Sequence, residues 1–309
     1  MKIYFPDTST VSGYGRLAAA CARALGSQLS LSAHGADLAI TDPHDQCEVP
    51  IRFTMWESTE LPITSTAWRR SKVLIVPSEH SKAVFRRYSK VPINICPLFA
   101  DGTFQHLPPA RPFRFLCVAR DNGTPSRKGI DQLLKWFTEA FPTQADVQLT
   151  VKQSAHCKKR YTYDKRITIL YEDYDRQQYQ DLLASHHCGI FLSGAEGWNL
   201  PLNELMATGR PSICIPWSGP VEFTDAKTSW YVPYKLVTAP EEVYHKTGKV
   251  AFPDKAGTIR AMREAYEDQI MVAQKALASA LRAADYTEAR FAARLRSIVA
   301  RYGFQTDFS

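Results

Sequence analysis

The chain has 309 residues, 45% of them hydrophobic, and a formal net charge of +7 at pH 7. This composition excludes a disordered chain, and no run of about 18 apolar residues is present, which argues against a membrane-spanning helix. The positive charge favours an anionic partner such as nucleotide phosphates, nucleic acid or an acidic membrane surface. The amino-terminal segment lacks the apolar core of a signal peptide, and the seven cysteines are scattered, so we expect reduced thiols and a cytoplasmic location.

Short apolar runs alternate with helical patterns in the first hundred residues, which is typical of βαβ units around a parallel sheet. The predicted strands are residues 2–6, 37–41, 51–56, 72–78 and 93–99. The predicted helices are the Ala-rich segment 15–25 and segment 78–88, which begins with Ser78 as its N-cap.

A Pro- and Gly-rich segment, 100–112, separates this half from a second alternating series. The later predicted strands are 113–120, 147–153, 167–171, 188–193 and 211–216, with helices at 128–141, 176–185, 200–209 and in the tail from about 253 to 303. We therefore predict an α/β protein of two Rossmann-like domains that face a central cleft. Their predicted bounds are 1–105 and 111–285, followed by a helical segment at 286–309.

The stretch GAEGWNLPLNELMATGRP contains two glutamates eight residues apart, Glu196 and Glu204. Pro201 suits the first turn of a helix and Gly209 suits the position that ends it. The helix N-terminus would form an anion site at the carboxyl edge of the sheet, whereas carboxylates beside it can hold sugar hydroxyls. A nucleotide-sugar has both phosphate groups for the anion site and sugar hydroxyls for the carboxylates. The alternative is a pair of solvated glutamates without a ligand.

The segment EGWNLPLNELMATGRPSIC resembles the Glu-x7-Glu signature of the retaining GT-B glycosyltransferases of family 4 (glycosyl transferases group 1). The resemblance implies that Glu196 contacts the donor sugar and Glu204 the ribose. It also places the intervening residues in the donor site, namely Gly197, Trp198, Asn199 and Leu200. Asn199 stands where the family usually has glycine, and asparagine tolerates a left-handed backbone. The family resemblance further implies that the last helix packs back onto the first domain.

The resemblance extends to three other segments of the second half. VARDNGTPSRKGIDQLL implies that Arg120 and Lys128 bind the diphosphate, with Arg127 as a neighbour able to take that role. ITILYEDYDRQQYQDLL implies that Tyr171 contacts the nucleobase. PWSGPVEF implies that Ser218 and Gly219 lie near the donor sugar or its phosphate.

The Gly-containing loop VSGYGRLA admits two interpretations. Gly13, Gly15 and Asp37 fit a loose dinucleotide fingerprint, which would indicate an NAD-dependent oxidoreductase. The family resemblance instead implies that Gly13 and Gly15 approach the donor phosphate. FTMWESTELP resembles a segment of bacterial and phage members, in which Glu57, beside Trp56, would orient the acceptor or accept its proton. The alternative for Glu57 is a structural role.

The resemblance implies a retaining, metal-independent hexosyl transfer from a UDP-sugar, with UDP-glucose as the default donor and no cofactor. Basic residues among aromatic ones suit nucleic acid, so the first acceptor hypothesis is a hydroxymethylated pyrimidine in double-stranded phage DNA, flipped out of the helix. Its predicted contacts are Trp56, Arg69, Arg70, Arg86 and Arg87. A glycan or a lipid acceptor, with peripheral membrane contact, is the alternative. His186, His187 and Cys188 are adjacent but lack a matching ligand cluster, so no metal site is predicted.

Overall fold

The computed structural model describes residues 1–7, 13–62, 66–119, 127–157, 160–161 and 164–304. Within them the chain forms two parallel sheets of six strands each and one antiparallel pair of strands. Helices pack against the parallel sheets, as the alternation of apolar runs and helical patterns predicts.

The first sheet has the strand order β2-β1-β3-β4-β5-β6, and every neighbouring pair is parallel. Its strands are β1 (Ile3–Tyr4), β2 (Leu29–Ser30), β3 (Leu38–Ile40), β4 (Ile51–Phe53), β5 (Val73–Val76) and β6 (Ile93–Ile95). Its helices are α1 (Gly13–Leu25) and α2 (Glu79–Arg86), with a 3₁₀ helix at Ala67–Arg70. The sequence prediction missed β2, a two-residue edge strand too short to show a periodic pattern.

The second sheet has the order β9-β8-β7-β10-β11-β12 and is also entirely parallel. Its strands are β7 (Phe113–Val118), β8 (Val147–Gln153), β9 (Ile167–Tyr171), β10 (Cys188–Phe191), β11 (Ser212–Cys214) and β12 (Ser229–Tyr231). Its helices up to β12 are α3 (Ile130–Ala140), α4 (Arg176–Ala184) and α5 (Leu200–Ala207). The chain runs outward in one direction from β7 and in the other from β10, so the strand order reverses between these two strands.

A segment that the sequence prediction missed follows β12. It consists of β13 (Tyr234–Thr238), α6 (Glu241–Tyr244) and β14 (Lys249–Pro253), and the two strands pair antiparallel. Three further helices follow in the described residues: α7 (Lys255–Glu267), α8 (Gln269–Ala283) and α9 (Glu288–Arg301).

The predicted helix boundaries have clear physical causes in the structure. The Ser78 side chain accepts a hydrogen bond from the Ser81 N–H at 3.2 Å, which caps α2 as predicted. The Asn199 side chain caps α5 by accepting from the Leu202 N–H at 3.3 Å. Asn199 itself has a left-handed φ of 87°, and Gly209, at φ 76°, ends α5.

The last helix and the linker tie the two halves of the chain together. α9 packs on α1, where the Arg296 guanidinium donates to the Ala24 carbonyl at 3.0 Å, and its apolar face joins the core of the first sheet. Arg210, from the loop after α5, is fully buried and donates to the linker carbonyls of Gln105 and His106 at 2.7 and 2.8 Å. These bonds fix the linker against the second sheet.

No helix in the described ranges is long and apolar enough to cross a membrane. All seven cysteines are free thiols, and six of them are buried.

Candidate active site

The reversal of strand order between β7 and β10 defines where a ligand is expected. In an open parallel sheet, the loops leaving the carboxyl ends of two such strands diverge and leave a crevice between them. The loop after β7 carries Arg127 and Lys128, and the loop after β10 carries Glu196. Two cations and a carboxylate from separate segments therefore meet at the mouth of this crevice.

Lys128 and Glu196 form an ion pair in which the Lys128 ammonium donates to the Glu196 carboxylate. Their side chains are only 17% and 10% exposed, so the pair is largely shielded from water. Burial alone would raise the pKa of the Glu196 carboxyl, but the charges of Lys128 and Arg127 outweigh it and hold this pKa below its usual value. Glu196 is therefore ionised at neutral pH.

The residues after β11 hold the backbone of the Glu196 loop. The Glu196 N–H donates to the Ser218 Oγ at 3.0 Å, and the Gly219 N–H donates to the Glu196 carbonyl at 2.9 Å. A β-carbon on Gly219 would lie 2.6 Å from the Gly197 carbonyl and from the Trp198 Cα, so only glycine fits there. Ser218 and Gly219 thus position Glu196 through its main chain.

A second cluster joins the two sheets across the cleft at Glu57, in the loop after β4. Arg127 donates to Glu57 Oε2 at 2.7 Å, and the Tyr244 hydroxyl donates to the same oxygen at 2.6 Å. The His80 ring lies 2.9 Å from the Glu57 carbonyl, and burial lowers the pKa of His80. Glu57 therefore lies beside the crevice, held by groups from both halves of the chain.

Glu204, the second glutamate of the motif, points into the contact between the sheets and its carboxylate is fully buried. Arg16, from α1, forms an ion pair with it and donates to Glu204 Oε2 at 3.1 Å. Burying a carboxylate is tolerated here because a guanidinium compensates its charge.

The position of Asp37 does not fit the dinucleotide interpretation of the Gly loop. Gly13 and Gly15 lie in the first turn of α1, on the carboxyl side of the first sheet. Asp37 directly precedes β3, at the amino edge, where its carboxylate accepts from the Lys2 N–H at 2.8 Å. The aspartate that a dinucleotide ribose requires lies at the carboxyl edge. The same turn of α1 carries Arg16, which pairs with Glu204 of the second half.

Two predicted aromatic contacts are core residues instead. Trp198 is 1% exposed and packs against Phe223 with a 4.9 Å centroid separation. Trp56 is 7% exposed, and its indole N–H donates to the Ser58 Oγ at 2.9 Å and to the Glu60 carbonyl at 2.6 Å. Their rings fill the protein interior, so neither contributes a free face to a donor or an acceptor.

The other donor-site residues spread along the carboxyl edge of the second sheet. Gly197 packs tightly against Met55 of the first half, and half-buried Leu200 begins α5. Tyr171 ends β9, the outermost strand, and the Arg160 guanidinium lies 4.1 Å from its ring centroid. Arg120, predicted to bind the diphosphate, lies outside the described residues.

The four arginines predicted to contact the acceptor do not join this site. Arg69 and Arg70 precede β5, at the amino edge of the first sheet, and Arg86 and Arg87 end α2, which begins at the carboxyl edge and runs back from it. Arg70 pairs with Glu48 at 3.1 Å, and Arg87 donates to the Thr59 carbonyl at 3.0 Å. The cleft lies at the carboxyl edge.

Sequence reasoning missed three residues of the site: Arg16, His80 and Tyr244. Arg16 follows the Gly loop directly, so its position in GYGR was an available signal. His80 and Tyr244 carry no local motif, since each reaches Glu57 only through the packing of distant elements.

Both adjacent histidines have protein partners. His186 contacts the Leu182 carbonyl and the Thr150 hydroxyl at 2.7 and 2.9 Å, and His187 accepts from the Arg114 N–H at 3.0 Å. In the described part of the chain no three potential ligands cluster to hold a metal.

No family model matches the sequence, and no curated protein matches it. Solved structures are similar to it. Anabaena HepE in complex with UDP-glucose has a TM-score of 0.70 and 12% identity, and the match covers 97% of this chain and 100% of HepE. The lipopolysaccharide outer core galactosyltransferase WaaB has a TM-score of 0.67, 13% identity and the same coverage.

The pneumococcal O-GlcNAc transferase GtfA, in complex with UDP and GlcNAc, has a TM-score of 0.58 and 14% identity over 82% of this chain. The chain spans only 53% of the length of GtfA, whereas it spans all of HepE and WaaB. Two six-stranded parallel sheets facing a cleft, together with these similarities, show that the chain has the GT-B fold.

Proposed function

We propose that this protein is a retaining glycosyltransferase that moves a hexose, glucose by default, from a UDP-sugar to an acceptor hydroxyl. The observation that carries the proposal is the meeting of Arg127, Lys128 and Glu196 where the order of the second sheet reverses. Cations there suit a diphosphate and a carboxylate suits sugar hydroxyls. The similarity to HepE, whose structure contains UDP-glucose, supports the donor class.

The expected role of the cations is to stabilise negative charge as the diphosphate leaves. In the structure Lys128 is neutralised by Glu196, and Arg127 by Glu57. A diphosphate at the crevice would compete for Lys128, and the donor sugar would offer Glu196 hydroxyl groups in exchange. Arg127 has further N–H donors with which to bind the diphosphate while it stays paired with Glu57. Preorganised cations at a leaving group are worth roughly 100-fold or more in rate. Arg120 would add a third cation.

Retention of configuration follows, in this proposal, from attack on the face that the diphosphate leaves. The acceptor C–O bond forms as the sugar–phosphate bond breaks, and the acceptor proton passes to the departing phosphate oxygen. The protein contributes positioning and charge stabilisation, so it needs no carboxylate nucleophile, metal or cofactor.

For the acceptor, we now favour a glycan hydroxyl over hydroxymethylated DNA. The DNA hypothesis depended on four arginines, and in the described residues none of them contacts Glu57 or Glu196, whereas a glycan needs no basic surface. WaaB, an outer core galactosyltransferase of lipopolysaccharide, is similar over its whole length and supports this choice. The free thiols fit a reducing, cytoplasmic compartment, where we propose that the enzyme acts.

The test is incubation with radiolabelled UDP-glucose, UDP-galactose and UDP-N-acetylglucosamine against three acceptors: a glycolipid extract, free oligosaccharides and hydroxymethylated DNA. We expect label in the glycan fractions and retained anomeric configuration by NMR of the product. Label in DNA alone would restore the DNA hypothesis. Absence of both transfer and UDP release with every donor would contradict the proposed function.

A further inference from the structure

The segment from β13 to β14, residues 234–253, bridges the two halves of the molecule; we call it the bridging hairpin. Its Lys249 N–H donates to the Thr59 Oγ1 at 2.8 Å, and the Thr59 N–H donates to the Lys249 carbonyl at 3.1 Å. On the other side, the Ala251 N–H donates to the Gly194 carbonyl at 2.8 Å. The bridging hairpin therefore connects the loop that carries Glu57 to the loop that carries Glu196.

Tyr244 is the residue of this hairpin that reaches the site. It ends α6, is 1% exposed, and packs at 82° against the Trp56 ring with a centroid separation of 5.5 Å. Its hydroxyl and the Arg127 guanidinium both donate to Glu57 Oε2, at 2.6 and 2.7 Å. Two donors on one oxygen fix the position of that oxygen.

We infer that Tyr244 is a positioning residue for the transfer step, acting through Glu57 on the acceptor hydroxyl; this inference rests on the proposed function. With Oε2 engaged by Tyr244 and Arg127, Glu57 Oε1 is left to accept a hydrogen bond from the acceptor. The Glu57 side chain is 24% exposed, so a hydroxyl can reach it. That bond would orient the hydroxyl so that a lone pair faces the anomeric carbon. As the new C–O bond forms and the sugar–phosphate bond breaks, the hydroxyl proton leaves the Glu57 hydrogen bond and moves to the departing phosphate oxygen.

The environment of Tyr244 supports this assignment. Burial and the neighbouring Glu57 carboxylate raise the pKa of Tyr244 well above its ordinary value. The phenol therefore stays protonated across neutral and mildly alkaline pH, as a hydrogen-bond donor to Glu57 must. Because Tyr244 belongs to the bridging hairpin, the acceptor-side carboxylate is correctly placed only when this hairpin is docked against both halves.

The experiment compares Tyr244→Phe, Glu57→Gln and the double variant in steady-state transfer from UDP-glucose to the best acceptor fraction. Tyr244→Phe removes one hydroxyl and keeps the ring against Trp56. We expect its kcat to fall by about 10- to 100-fold, while the KM for UDP-glucose stays within about twofold. In the Glu57→Gln background the same change should cost less than about threefold, since residues acting as a unit are not additive.

Tyr266→Phe is the matched control. Its hydroxyl donates to Asp146 Oδ1 at 2.7 Å, the same kind of bond on α7, away from the cleft. We expect wild-type kinetics for it. Thermal unfolding and UDP binding of every variant check that the fold and the donor site persist.

The inference is wrong if Tyr244→Phe has the wild-type kcat, or if its effect is equally large with and without Glu57. It is also wrong if the variant weakens UDP binding by as much as it lowers kcat/KM, because that result indicates a structural role. A wild-type protein that transfers no sugar removes the proposed function and this inference together, whereas a fully active Tyr244→Phe removes the inference alone.

Discussion

The Arg16 guanidinium, from α1, and the fully buried Glu204 carboxylate, from α5, form an ion pair that joins the two halves of the molecule. A buried carboxylate without its partner is costly, because it has lost its hydration and gained no counter-charge. Loss of either side chain should therefore weaken the contact between the two sheets.

Replacing Arg16 with alanine should destabilise the protein by about 2 kcal/mol, the scale of a hydrogen-bonded charge pair with one buried partner. Arg23→Ala, in the same helix, is the control. Both side chains of the Arg23–Glu288 pair are exposed, so this pair should contribute less than about 1 kcal/mol to the free energy of unfolding. Urea or thermal unfolding of the two variants measures the difference. Equal losses would contradict the importance of burial here.

Lys128→Met should lower kcat/KM for transfer by at least about 100-fold, because it removes a cation from the proposed diphosphate site. The same change leaves the Glu196 charge buried, so stability should fall as well. Adding Glu196→Gln removes that charge and should restore the unfolding midpoint without restoring activity. Lys135 is exposed on α3, so the control variant Lys135→Ala should keep full activity. If the double variant regains transfer, Lys128 does not have the proposed role.

Gly219→Ala should disrupt the site more than Ser218→Ala. The added β-carbon at position 219 would meet main-chain atoms of residues 197 and 198 and push the Glu196 loop away. Ser218→Ala only removes the acceptor of the Glu196 N–H, a loss of about 1 kcal/mol. UDP binding, measured by calorimetry, and the transfer rate should therefore be lower for Gly219→Ala than for Ser218→Ala. Wild-type binding by Gly219→Ala would show that the loop tolerates the displacement.

The two buried histidines should make the protein less stable as the pH falls below about 6.5, the pKa of a free histidine. Burial lowers the pKa of His186 and of His187 to about 4 in the folded protein. Between these values the unfolded chain binds protons that the folded chain does not, so acidification favours unfolding, and above about 6.5 this contribution is fully present.

His187→Asn should flatten the dependence of the free energy of unfolding on pH between about 6.5 and 5, and exposed His34→Asn should leave the slope as it is. Urea unfolding at several pH values gives the slopes. Parallel curves for wild type and His187→Asn would contradict this prediction.

The fold class, most strand positions and the shape of the Glu196 loop were predictable because they depend on local patterns. Apolar runs located most strands of both parallel sheets, and the left-handed Asn199 and terminal Gly209 of α5 follow from residue type. Both motif glutamates are buried, which does not fit the alternative of a solvated pair.

The remainder depends on contacts between residues far apart in sequence. Tyr244 and Glu57 are separated by 187 positions, and nothing near either residue indicates the other. Trp56 and Trp198 were misassigned because an aromatic residue beside a functional one looks the same in sequence whether it stacks on a ligand or fills a core. The arginine clusters could not be placed from the sequence because it does not reveal which edge of a sheet a charge occupies.

The packing of α9 on α1 has a consequence for how the protein folds during synthesis. Phe291, Leu295 and Ile298 complete the apolar core beside the first strands, although they are made almost 200 residues after β6. The amino-terminal half must therefore emerge from the ribosome with part of α1 uncovered and wait for the last turns of the chain. During that interval its exposed apolar surface is open to chaperones or to aggregation, and nascent chains that stall before residue 288 cannot bury it.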